Sequence, residues 1–125
     1  LLINNTSAKK GSKRDSYHEL MERGMLVVEP LTYIRGRSIP NQHMIVDEAQ
    51  NLTPHEIKTI VTRAGEGTKI VLTGDPNQID NKDINLSSNG LNTLVERFKD
   101  SPLAAHVRFT SVERSALAEL AANVL

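Results

Sequence analysis

The sequence has no cysteine, no tryptophan, only four aromatic residues and no excess of either charge. Without cysteine there is no disulfide framework, no thiolate metal site and no cysteine nucleophile, a usage that fits a reducing compartment. The 15 basic and 15 acidic residues cancel, so no global field draws the chain to nucleic acid or to an anionic membrane. Any such contact has to be local. Nothing approaches an apolar run of membrane-spanning length and no charged-then-apolar leader opens the chain, which is therefore expected to be soluble and cytoplasmic. Two tyrosines and two phenylalanines leave little for a base-stacking platform. His18, His43, His55 and His106 show no metal-ligand spacing.

What remains is an ordinary globular composition, 38% hydrophobic and 24% charged over 125 residues, enough for one domain. The chain opens on Leu1 rather than methionine, and Asn4 to Arg14 is polar, small and basic with no apolar period. This pattern predicts a flexible segment over residues 1–15 and a folded part over 16–125. Ser16 is placed to cap a short helix through Tyr17, Leu20 and Met21 that Gly24 ends. Three continuous apolar runs follow, Met25–Val28, Met44–Val46 and Ile70–Leu72, of the kind found in strands covered on both faces. Between the last two, Thr53 as cap, Pro54 in the first turn and Glu56 as capping-box partner predict a helix that Gly65 and Gly67 end. Strand, helix, strand with short connections is a parallel crossover unit. Gly74 to Asn85 reads as loop. Ser88 is expected to cap a helix through Phe98, His106–Thr110 to form a fourth strand, and Ser115 to Leu125 to be helical. The fold class is α/β, a parallel sheet flanked by helices.

Two polar constellations fall at the ends of neighbouring apolar runs. In Met44-Ile45-Val46-Asp47-Glu48-Ala49-Gln50, the pattern of a Walker B strand, two carboxylates emerge at the carboxyl end of a buried strand, the edge where open parallel sheets bind ligands. Adjacent strand residues face opposite ways, so Asp47 can hold magnesium through its waters while Glu48 orients or deprotonates an attacking water. Taken alone, an Asp-Glu pair is better explained by two solvated acids at a loop start. The second constellation, Thr73-Gly74-Asp75-Pro76-Asn77-Gln78, alters that balance. Gly74 permits close approach, and Asp75-Pro76 sets a turn able to aim Gln78 back at the first pair, where a glutamine can sense a terminal phosphate or position water. Arg114, in Glu113-Arg114-Ser115, is a candidate to stabilise charge on a transferring phosphoryl group, or else a partner of Glu113. Arg35 and Arg37 flank Gly36 in a loop and can grip phosphates of a nucleic-acid backbone or remain solvated.

Together, Arg35-Gly36-Arg37, Asp47-Glu48-Ala49-Gln50-Asn51, Thr73-Gly74-Asp75-Pro76-Asn77-Gln78-Ile79-Asp80 and Glu113-Arg114-Ser115 resemble, in that order, the PhoH family of phosphate-starvation-inducible ATPases. The similarity covers about Ser16 to Leu125. Similar motifs recur in superfamily 1 helicase motors. The resemblance implies a RecA-like P-loop core, ATP as nucleotide and magnesium held by Asp47 through water. It further implies Glu48 as activator of water, Gln78 as phosphate sensor with Asp75 beside it, and Arg114 as a finger. RNA as the macromolecular substrate and a ring-shaped homo-oligomer are implied as well.

One part of that pattern is missing. A phosphate loop needs Gly-x-x-x-x-Gly-Lys-Ser/Thr, and both Gly11-Ser12-Lys13 and Gly67-Thr68-Lys69 have the wrong order. The expectation is the carboxyl-terminal part of an ATPase domain lacking the Walker A strand, loop and helix, competent in a parent protein and inactive alone. The alternatives are a non-catalytic nucleic-acid-binding or assembly module and a fragment of a superfamily 1 motor.

Overall fold

The computed structural model describes residues 2–4, 17–34, 36–110 and 115–124. Its elements in chain order are β1 (Leu2–Asn4), α1 (Tyr17–Glu22), β2 (Leu26–Val27), β3 (Gln42–Val46), α2 (Pro54–Val61), β4 (Lys69–Leu72), α3 (Gly90–Phe98) and α4 (Ala116–Val124). Short 3₁₀ turns lie at Leu31–Ile34 and Ala49–Asn51.

The crossover unit read from the sequence is present. β3 and β4 pair in parallel, with His43 opposite Lys69 and Val46 opposite Leu72. Between them runs α2, started by local chemistry alone. Thr53 Oγ1 accepts from the Glu56 N–H at 3.2 Å, and the Glu56 carboxylate accepts from the Thr53 N–H at 2.9 Å. Pro54 occupies the first turn, where its missing N–H costs nothing. Ile57 and Ile60, one helical turn apart, drop onto Met44 and Val46 to form the core with Ile34, Ile39 and Ala49. Each such side chain, fully buried, contributes about 1.5–3 kcal/mol. Leu91 and Leu94 of α3 pack against the same cluster. The approach of α3 to α2 requires Gly90, because a Cβ there would strike Ile57 and the carbonyls of Leu52 and Thr53.

Several expectations are corrected. The sheet order is β2-β1-β3-β4, with β1 antiparallel to both neighbours, so parallel pairing holds for β3 and β4 and not for the whole sheet. β1 itself lies inside the stretch expected to be flexible, and residues 5–16 lie outside the described part. The run Ile70–Leu72 is not covered on both faces: Val71 is 40% exposed. His106–Thr110 has no strand, and Val107 and Phe109 are 73% and 86% exposed. An alternating pattern supplies a face but no partner, and among the described residues none pairs with this segment. The cap of α3 is Asn89, whose Oδ1 accepts from the Asn92 N–H at 2.9 Å, rather than Ser88. Finally, α2 ends at Val61, ahead of Gly65 and Gly67.

Candidate functional site at the carboxyl edge of the parallel pair

β3 stops at Val46, and the two carboxylates follow it outside the strand. Glu48 has φ 53° and ψ 35°, a left-handed conformation that costs a residue with a Cβ about 1–2 kcal/mol. Such strain persists only where surrounding contacts determine it. Here the Glu48 N–H donates to Asp47 Oδ1 at 3.0 Å, and the Ala49 N–H donates to the Thr73 carbonyl at 2.9 Å. The separation of the two carboxylates therefore comes from this turn and not from strand alternation, as the sequence pattern had suggested.

Asp47 is exposed, and its position is set by the neighbouring strand. Thr73, the residue after β4, donates its hydroxyl to Asp47 Oδ1 at 2.7 Å. The Thr73 hydroxyl and, after it, the Glu48 N–H hold the Asp47 carboxyl below the ordinary aspartate range. Both bonds fall on Oδ1, which leaves Oδ2 without a hydrogen-bond partner among the described residues. An ionised carboxylate with one uncommitted oxygen suits magnesium, which takes one or two protein carboxylates and keeps several waters. No group of three or more His, Cys, Asp or Glu side chains placed to hold a metal ion occurs among the described residues.

The two constellations are joined by Gln50. Its side chain is fully buried, its amide donates to Glu48 Oε2 at 2.6 Å and to the Gln78 carbonyl at 2.9 Å, and its oxygen accepts from the Asp75 N–H at 3.2 Å. Asp75 in turn builds the following turn: Oδ1 accepts from the Asn77 N–H at 2.9 Å and the backbone carbonyl from the Gln78 N–H at 2.9 Å. The Gln78 side chain is exposed and donates to Asp75 Oδ2 at 2.8 Å. The backbone of Gln78, rather than its side chain, thus makes the bond to the Asp47-Glu48 side of the site. One step further, Asn51 Oδ1 accepts from the Asp80 and Asn81 N–H groups at 2.7 and 3.2 Å and ties down the rest of the loop.

Asp47, Glu48, Asp75 and Gln78 are therefore brought together. Arg37 is not bonded to any of them; it forms a 2.8 Å ion pair with Glu29. Glu29 and Asp47 both line a cleft of about 270 Å³, bounded otherwise by Pro30, Leu31, Ile34 and Met44 to Val46. Arg35 and Arg114 lie outside the described residues. Sequence reasoning passed over Thr73 and Gln50 as individual actors although both stood inside the quoted motifs. A glutamine after an apolar strand carries no local sign that it will be buried.

The family model for PhoH-like proteins matches residues 7–125. The chain belongs to the PhoH family. It is 55% identical over 119 residues to Protein PhoH2 of Bacillus subtilis (strain 168), covering 95% of this chain and 26% of that relative. Protein PhoH2 of Mycolicibacterium smegmatis is 43% identical over 107 residues, 86% of this chain and 24% of its own length. A PhoH-like protein of Bacillus subtilis is 48% identical over 66 residues, 53% of this chain and 21% of that protein. The chain spans about a quarter of the length of the PhoH2 relatives it matches. The family resemblance read from the motifs is thus borne out, and every residue of the site described above falls within the PhoH match.

Proposed function

We propose that this chain is the Walker B and sensor half of a magnesium-dependent PhoH-type ATPase. The observation that carries the reading is the linking of Asp47-Glu48, which follow β3, to the Thr73–Gln78 segment beyond the adjacent parallel strand, directly from Thr73 to Asp47 and through Gln50 from Glu48 to Asp75. Two polar loops joined at the carboxyl edge of neighbouring parallel strands form the standard ligand-binding position of an α/β sheet. Membership of the PhoH family supports the same reading.

In this mechanism Asp47 would hold magnesium through water, and the ion would supply neutralisation of charge on the phosphates. Glu48 accepts a proton from the attacking water. Gln78 meets the terminal phosphate once its amide leaves Asp75, and Arg114 offsets charge that develops in the transition state. The phosphate loop is supplied by the rest of a RecA-like core in the full-length protein, with residues 16–125 as the carboxyl-terminal part of that domain. The isolated 125 residues are inactive. RNA is the coupled substrate, gripped by Arg35 and Arg37, and the full-length protein assembles as a ring in the cytoplasm. Among the described residues no helix is long and apolar enough to cross a membrane.

The test is magnesium-dependent ATP turnover by the full-length protein and by the isolated segment. Turnover by the full-length protein alone is expected. Robust hydrolysis by the isolated segment would overturn the dependence on an external phosphate loop, and none by the full-length protein would overturn the ATPase reading. RNA affinity across a salt series should fall steeply as salt rises if phosphate contacts carry it.

A further inference from the structure

We propose that Gln50 is a positioning residue that holds the Glu48 carboxylate and the Gly74–Gln78 loop as one unit, so that proton-acceptor orientation and loop position are linked. The inference rests on the ATPase reading of the site and adds a residue and a coupling to it.

The bonding of Gln50 matches the chemistry of a carboxamide and of no other side chain. A primary amide has two N–H donors and a carbonyl oxygen. Both donors are used, on Glu48 Oε2 and the Gln78 carbonyl, and the oxygen takes the Asp75 N–H. Because one partner is a carboxylate and another is an N–H, the amide has a single self-consistent orientation. Glutamate would meet Glu48 and the Gln78 carbonyl with no donor. Methionine would fill the space and make none of these three bonds, and asparagine is one methylene too short to span them. The bond to Glu48 joins a fully buried donor to the carboxylate of an exposed residue, a charge-assisted bond stronger than one between neutral groups.

Gly74 is the complement of this arrangement. A Cβ at position 74 would lie 2.5 Å from Gln50 Oε1, 3.0 Å from Leu91 Cδ2 and 3.1 Å from the Gln50 backbone nitrogen, so glycine there lets the loop close onto Gln50 without displacing its carboxamide. Asn89 offers a contrast. It is the other polar side chain as deeply buried among the described residues, but it caps α3 and bonds the carbonyls of Asn85 and Leu86, away from the carboxylates. Of the two buried amides, one stabilises a helix end and the other spans two loops of the site. Displacement of the Gln78 backbone removes one of the two acceptors that orient the Gln50 amide, and Glu48 loses its fixed donor. Gln50 itself acts only through Glu48.

The experiment compares steady-state ATP hydrolysis by the full-length wild type, Gln50→Met, Gly74→Ala and Asn89→Ala, with thermal unfolding of each. Gln50→Met and Gly74→Ala are expected to lower kcat by about tenfold or more while KM stays within about twofold. Asn89→Ala is expected to lower the unfolding temperature and leave kcat unchanged. Should Gln50→Met fail to fold, Gly74→Ala decides by the same criterion, since it displaces the carboxamide without altering it. Wild-type kcat in the folded variants, or a loss that Asn89→Ala matches at equal destabilisation, overturns the inference while leaving the ATPase reading intact. A wild type that hydrolyses no ATP overturns both.

Discussion

The hydroxyl of Thr73 donates to the Asp47 carboxylate at 2.7 Å, which fastens the first residue beyond β4 to the first residue beyond β3. This bond is the largest cause holding the Asp47 carboxyl below its ordinary range. Thr73→Val is therefore expected to raise the Asp47 pKa toward that of free aspartate, followed by carboxyl-carbon NMR titration. The sign for stability follows from linkage. A carboxyl depressed in the folded state stabilises the protein fully above its unfolded pKa, near 3.9 as a rough reference, and that contribution is lost as pH falls through the folded value. The stability gap between wild type and Thr73→Val should accordingly be present at neutral pH and shrink in acid. A gap that widens in acid would contradict the assignment.

Glu48→Gln removes the proton acceptor and keeps the shape of the side chain. In the full-length protein, turnover should fall roughly a hundred- to ten-thousand-fold, with nucleotide binding retained. Direct binding measurements beside a hydrolysis assay check both halves. Undiminished turnover would remove Glu48 from the chemistry.

Gly90→Ala sets two effects against each other. Alanine is better than glycine in a helix interior by about 1 kcal/mol, but Gly90 is the first residue of α3, where that gain is smaller. The added methyl would strike Ile57 and the carbonyls of Leu52 and Thr53, and overpacking of this kind costs about 1–3 kcal/mol. The clash wins, so the midpoint of thermal unfolding should drop. An unchanged or raised midpoint would show that α3 can shift away from α2.

Thr53→Ala breaks the capping box of α2 and exposes one helix-start N–H without its partner. The expected loss is about 1 kcal/mol. Thr53→Ser, which keeps the hydroxyl, should recover most of it in the same denaturation experiment.

What was legible in the sequence was local. The capping box at Thr53 and Glu56 rests on contacts three residues apart, so the pattern alone determined it, and the apolar runs of β3 and β4 on either side of that helix indicated the crossover. The order of the motifs likewise sufficed to indicate the family before any geometry was known. Other features depend on partners distant along the chain. The pairing of Leu2–Asn4 against Gln42–Met44 was invisible because a polar segment of no clear period separates β1 from everything it touches. His106–Thr110 had the alternation of a strand and found no neighbour. Ser88 and Asn89 are both good caps, and the choice of Asn89 went with its burial beside Leu86 and Asn85.

Gln50 shows the division best. The sequence determined that an Asp-Glu pair would end one apolar strand and a Gly-Asp-Pro turn the next. Only the tertiary structure decided that a buried carboxamide would bind the two together, because the bond from Gln50 to the Gln78 carbonyl spans 28 residues and exists only once the parallel strands lie side by side.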